Sequence, residues 1–112
     1  MSVPRLNRSL LLEAPTRVSD GAGGFTSDWQ TLGVLWAEVK AGSGRETAAF
    51  AATVSRVPCR ITVRAAPHGA ASRPTAGQRF RDGARLFHIN AVAERDANAQ
   101  YLLCFAEEEV VS

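Results

Sequence analysis

Cys59-Arg60-Ile61-Thr62-Val63-Arg64-Ala65 alternates without a break. Successive side chains of an extended chain point to opposite faces, so Cys59, Ile61, Val63 and Ala65 share one face and Arg60, Thr62 and Arg64 share the other. This is a strand with its apolar face turned inward. Upstream, Thr31 to Lys40 places Val34, Trp36 and Glu38 on one parity and Leu35, Ala37 and Val39 on the other, which predicts a second strand with one apolar and one mixed face. Trp36 is expected in the core, and Trp29, just after a turn, at the partly exposed margin.

Further outward, Asp20-Gly21-Ala22-Gly23-Gly24 is a strong turn signal, because glycine reaches positive φ without a steric penalty. The segment before it, Arg8 to Ser19, reads as an edge strand or one that bends at Pro15. Downstream, Pro67 to Gly77 reads as a loop. Arg79-Phe80-Arg81, Asp82-Gly83 and Arg85 to Ala93 form an expected hairpin. A turn at Asp96-Ala97-Asn98 leads into a last strand, Gln100 to Ala106, and the acidic run Glu107 to Glu109 is expected as a solvated chain end. One segment departs from the pattern. Ser43-Gly44-Arg45-Glu46 fits a capping box and the Ala-rich run behind it favours helix. The expectation is an all-β barrel or sandwich of about six to seven strands with one short helix in a long inter-strand loop. Residues 1–7 are expected as an N-terminal arm, 8–107 as a single domain and 108–112 as a tail.

Length and composition bound the rest. The chain has 112 residues, enough for one domain with one core. Its 46% hydrophobic fraction includes 19 alanines, so large apolar groups are few and a partner surface would add stability. Thirteen basic residues nearly balance eleven acidic ones, and the arginines are dispersed, without the clustered basic patch of a dedicated nucleic-acid binder. The region around Arg5 and Arg8 lacks the apolar stretch of roughly 7–15 residues that a secretory leader carries, and no membrane span is expected. Cys59 and Cys104 are expected as buried, reduced thiols of a protein made in the cytoplasm.

Catalytic chemistry finds little support. There is no Gly-Lys-Ser/Thr phosphate loop, no histidine pair at metal-ligand spacing and no Cys-x-x-Cys. A zinc site drawn from His68, His88, Cys59 and Cys104 has no spacing to recommend it. Asp20 and Asp28 beside glycines read as turn-makers. The expectation is a protein that is not an enzyme and has neither cofactor nor metal. Trp29, Arg60 and Arg64 are the candidate interface residues.

The features in order are Asp20-Gly21-Ala22-Gly23-Gly24-Phe25 with Trp29, Trp36-Ala37-Glu38-Val39, Gly44-Arg45-Glu46, Arg60-Ile61-Thr62-Val63-Arg64, Arg79-Phe80, Phe87-His88-Ile89-Asn90-Ala91-Val92 and Leu102-Leu103-Cys104. Together, over about residues 8 to 107, they resemble the head–tail joining family of tailed phages, the head-closure or stopper proteins. Two departures are the Ala-rich loop Ala66 to Gly77 and Phe87, where tyrosine is commoner.

The resemblance implies a small β-barrel that forms a ring, sixfold or twelvefold, between portal or adaptor and the tail terminator or tail tube. Such a ring would surround double-stranded DNA without sequence specificity, in an infectious phage, a prophage or a gene transfer particle assembled in the bacterial cytoplasm. The family's channel-directed loop falls on Ala41 to Arg56, with Gly42, Gly44, Arg45, Glu46, Phe50 and Thr53 as candidate gating residues. The alternative from the residues is a nucleic-acid-binding barrel of the OB type, using Trp29 and the arginines. A small hydrolase subunit is a weaker third.

Overall fold

The computed structural model describes residues 3–42 and 56–109. Among these, six strands are present: β1 (Arg8–Ser19), β2 (Phe25–Ala41), β3 (Arg56–Arg64), β4 (Arg79–Asp82), β5 (Arg85–Glu94) and β6 (Tyr101–Glu109). They close into one antiparallel barrel in the order β1-β2-β3-β6-β5-β4. Closure removes the open edges that a flat sheet of this length would present. The expected short helix falls outside the described residues.

The alternation at 59–65 sets the inside. Cys59, Ile61 and Val63 are buried while Arg60 and Arg64 are exposed. Leu10, Leu12, Ala37, Phe80, Phe87, Ile89, Leu102, Cys104 and Ala106 complete the core. Thr62 has outward parity yet is buried, flanked in register by Glu38 and Leu103. Trp36 overturns the sequence expectation: its side chain is 58% exposed. The reason is parity. Ala37, fully buried, packs inward with Leu35 and Val39, and that forces Trp36 to the outside.

The hairpin of β4 and β5 turns on Gly83 and Ala84, since Asp82 pairs with Arg85. Gly83 lies at φ 61°, and glycine at the first central position with a negative-φ residue after it is the type II′ arrangement. The loop between β3 and β4 carries the fully buried Pro74. It also extends the sheet through Gln78, whose carbonyl accepts the Ile89 N–H.

The β1–β2 hairpin outgrows the barrel. β4 pairs with β1 only at Leu11 to Glu13, and β3 pairs with β2 only at Ala37 to Ala41. Beyond those limits, among the described residues, the two strands pair with each other alone, out to Ser19 opposite Phe25. The result is an arm of about six residue pairs, roughly 20 Å long, and a molecule with extents of 53 × 38 × 22 Å. Pro15 lies in this arm, where its missing N–H interrupts no second ladder. At the tip, the Asp20 carboxylate accepts the N–H groups of Ala22 and Gly24. A Cβ on Gly24 would come within 2.7 Å of that carboxylate, so a larger residue there would make the Asp20 side chain shift.

Candidate functional site

Three regions outside the core carry the polar and aromatic chemistry. The first ties the arm to the barrel. Glu13 is buried on β1, and directly across from it Arg79 of β4 donates from Nε to its carboxylate at 2.7 Å. Arg81 approaches the other carboxylate oxygen at 3.3 Å. The Arg79 guanidinium lies 3.9 Å from the centre of the Trp29 ring. Trp29 in turn meets His88 edge-on at 6.2 Å, and His88 shares a 2.7 Å hydrogen bond with Glu109. Burial of a charge is tolerable only with a partner at this range, so the chain Glu13–Arg79–Trp29–His88–Glu109 fixes the root of the arm against β4, β5 and β6. Trp29 is therefore a half-buried clamp.

The second region caps the core. Arg8 pairs with Asp82, and Arg85 makes two hydrogen bonds to Glu108. These residues share the inward parity of Leu10, Phe80, Phe87 and Ala106. Glu107 accepts from Asn90, and Glu109 also has Arg56 at 3.9 Å. The acidic run expected as a solvated chain end is thus part of β6, half-buried, with Glu108 and Glu109 paired to basic side chains and Glu107 held by the Asn90 amide. Cys59 and Cys104 are free and buried. Burial pushes both thiols up to about 12, with the charges of Glu108 and of Cys59 respectively adding to the effect. A thiol held protonated is a poor nucleophile. His88 lies on the outer face, and His68 is exposed in a loop, so parity separates them from the cysteines. Among the described residues no three His, Cys, Asp or Glu side chains gather as a metal site, and no helix is long and apolar enough to cross a membrane.

The third region is the outer face of β2, β3 and β6. Arg60 lies over Phe105 at 5.9 Å and Arg64 over Tyr101 at 6.0 Å, each pair directly opposed in the β3–β6 register. Where β2 leaves β3, a groove of about 310 Å³ opens between Leu6, Val34, Leu35, Trp36, Arg64, Ala65, Ala66 and Ser72. Val34 and Trp36 stand exposed at its lip. Of the sequence-derived interface candidates, Arg60 and Arg64 belong to this face and Trp29 to the clamp. Of the gating candidates, Gly42 is described, its N–H bonded to the Pro58 carbonyl at 2.8 Å. Gly44, Arg45, Glu46, Phe50 and Thr53 lie outside the described residues. The Glu13–Arg79 pair escaped the sequence reading because its partners are 66 positions apart. The one signal was a glutamate in an otherwise apolar strand start.

Comparison with known proteins follows the same architecture. The family model of phage head completion proteins matches residues 1–109. Among solved structures, a chain in the virion of a native gene transfer agent particle is 61% identical, with 98% of this chain and 100% of that one covered and a TM-score of 0.82. Protein SF1141 from Shigella flexneri 2a, 23% identical over 96% of each chain, has a TM-score of 0.67 and shares the fold. A search of curated proteins returns no match.

Proposed function

This chain belongs to the family of phage head completion proteins, and from that premise we propose that it is a structural part of the head–tail junction in a tailed phage or gene transfer particle. The observation that carries the reading is a contrast in how the molecule treats its side chains. Its buried charges, Glu13 and Arg79, are paired with each other, and Arg8 and Arg85 each meet a carboxylate, while Phe25, Val34 and Trp36 and a long open-edged arm are left to solvent. Exposed apolar surface of this kind marks a protein contact. The assembly would be a ring, sixfold or twelvefold, between the portal or adaptor and the tail terminator or tail tube. Double-stranded DNA would pass through its centre.

In this reading the loop from Ala41 to Arg56 reaches the channel, and Gly42, Gly44, Arg45, Glu46, Phe50 and Thr53 retain the DNA. The OB-type alternative is less favoured. That fold is a five-stranded, partly open barrel which stacks bases on free aromatic faces, whereas here six described strands close and Arg60 and Arg64 already lie over Phe105 and Tyr101.

Deleting the gene in a particle-producing strain is the test. Expected are heads and tails that remain unjoined, with packaged DNA lost, and many copies of the protein per intact particle. Tailed, full particles without the protein would refute the role. Replacing residues 45–55 with a Gly-Ser linker separates gating from joining: tails should attach while DNA escapes. Normal DNA retention would leave the loop as interface alone.

A further inference from the structure

Two exposed apolar surfaces lie on strand β2, one at its start and one where it leaves β3. At the arm tip, Phe25 is 61% exposed and carries the Arg17 guanidinium 4.3 Å above its ring. Where β2 leaves β3, Val34 and Trp36 form a shelf beside the Arg64 groove. Positions 25 and 36 are eleven residues apart on an extended strand, about 37 Å at ~3.4 Å per residue. One chain therefore cannot bring its own tip to its own shelf.

Two different surfaces on one chain, each needing cover, are what a head-to-tail contact between identical copies uses, and such a contact closes into a ring when the rotation permits. Charge agrees with this pairing. The tip carries exposed Asp20 and Asp28 against Arg17. Arg64 lines the groove beside the shelf, and Arg60 lies four positions away on the same face of β3, about 13 Å along the strand. Neither has a carboxylate at ion-pair distance among the described residues, and Lys40, opposite Arg60, has Glu38 at 3.7 Å. From Phe25 to Trp36 the far edge of β2 also lacks a neighbouring strand among the described residues, an edge that invites cover.

We infer that the β1–β2 arm of one copy docks by Phe25 onto the Val34–Trp36 shelf of the next copy, with its tip carboxylates toward Arg60 and Arg64. This contact rests on the ring assembly proposed above and specifies how adjacent copies meet. Heterologous docking leaves every copy with its arm in one neighbour and its shelf under another.

Cysteine crosslinking in particles tests it. Cys59 and Cys104 are buried, so new surface thiols report alone. A protein carrying both Phe25→Cys and Trp36→Cys should give a ladder of covalent multimers on oxidation. A disulfide needs Cα atoms within about 7 Å, so any 25–36 link must join two copies. Either single variant should stay monomeric, because its new thiol faces no second thiol at a 25–36 contact. Dimers from both single variants would point to a symmetric contact and overturn the head-to-tail one. Separately, Phe25→Asp should leave the circular dichroism of the free protein unchanged and cut its incorporation about tenfold or more, as loss of a central contact residue does. Particles that hold the double variant at normal copy number without a ladder, or that take up Phe25→Asp normally, would overturn the contact and leave the junction role intact. A folded double variant that cannot enter particles would support it, since both positions are exposed in the free chain. Absence of the unaltered protein from particles would instead overturn the assembly reading.

Discussion

Within the barrel each strand has a neighbour on both sides, whereas each strand in the outer half of the β1–β2 hairpin has one neighbour and, among the described residues, an open outer edge. The same two strands contribute to both regions. Leu10 and Leu12 of β1 are fully buried, while Val18, a few residues on, is half exposed. Barrel stability comes from apolar burial that the chain supplies itself. A two-stranded ribbon alone is marginal in water, so the arm depends on its clamp and on whatever it meets. In the proposed assembly the arm's shape serves contact more than stability.

The largest effect should come from the core. Phe80 is fully buried among core residues, and Phe80→Ala should destabilise the barrel by about 3–5 kcal/mol in denaturant unfolding. A loss below about 1 kcal/mol would mean the barrel is not the self-sufficient region. Next comes the buried pair. Glu13→Gln leaves Arg79 without its full counter-charge and should cost about 3 kcal/mol. Pairing Glu13→Leu with Arg79→Met should recover much of that, since two apolar groups leave no orphaned charge.

The clamp gives a sharper division. Trp29→Ala removes the ring under the Arg79 guanidinium, a contact worth about 2 kcal/mol when desolvated. Hydrogen exchange should quicken at the arm amides, Thr16 to Ser19 and Thr26 to Gln30, while β3 and β6 amides keep their protection. Equal loosening of both would erase the distinction between arm and barrel.

Alkaline pH should strike the barrel first. Both thiols lie in its core, raised from 9.0 to about 12. Below about pH 9 they are protonated in the folded and unfolded states alike, and stability is unaffected by them. Above that, the unfolded thiols ionise first, the folded state binds more protons, and stability falls as pH rises toward 12. The slope is about 1.4 kcal/mol per pH unit for each thiol. A variant with Cys59→Ala and Cys104→Ala should lose that part of the slope in urea titrations between pH 9 and 11.

The barrel was largely legible in the sequence and the arm was not, for a physical reason. Alternation is readable only where one face meets a core, as at Cys59 to Ala65. Thr26, Ser27, Asp28 and Gln30 are polar on both faces, so β2 seemed to start at Thr31 when it starts at Phe25. Trp36 was misplaced because size suggests burial, yet its small neighbour Ala37 marks the core side. The charge network was invisible because ion pairs such as Arg8–Asp82 join residues 74 positions apart. The expectation that the acidic run is solvated failed for the same reason: its partners come from β3 and β5.

The smallest effect should be at Phe25, which carries the same side chain as Phe80 but in the opposite setting. In the free protein its ring meets Arg17 and little else, a surface cation–π contact worth about 0.5 kcal/mol. Phe25→Ala should therefore lower the unfolding free energy by no more than that contact, because the turn at Asp20 to Gly24 is held by the Asp20 carboxylate and one backbone hydrogen bond, which remain. Exchange at the clamp residues should also stay unchanged, since Trp29 lies four positions inward on the same outer face. A loss of 2 kcal/mol or more would mean that Phe25 packs against its own barrel in solution, and the arm would then no longer be a free projection. A near-silent substitution in the isolated chain that matters only in particles would locate the value of this aromatic ring in assembly.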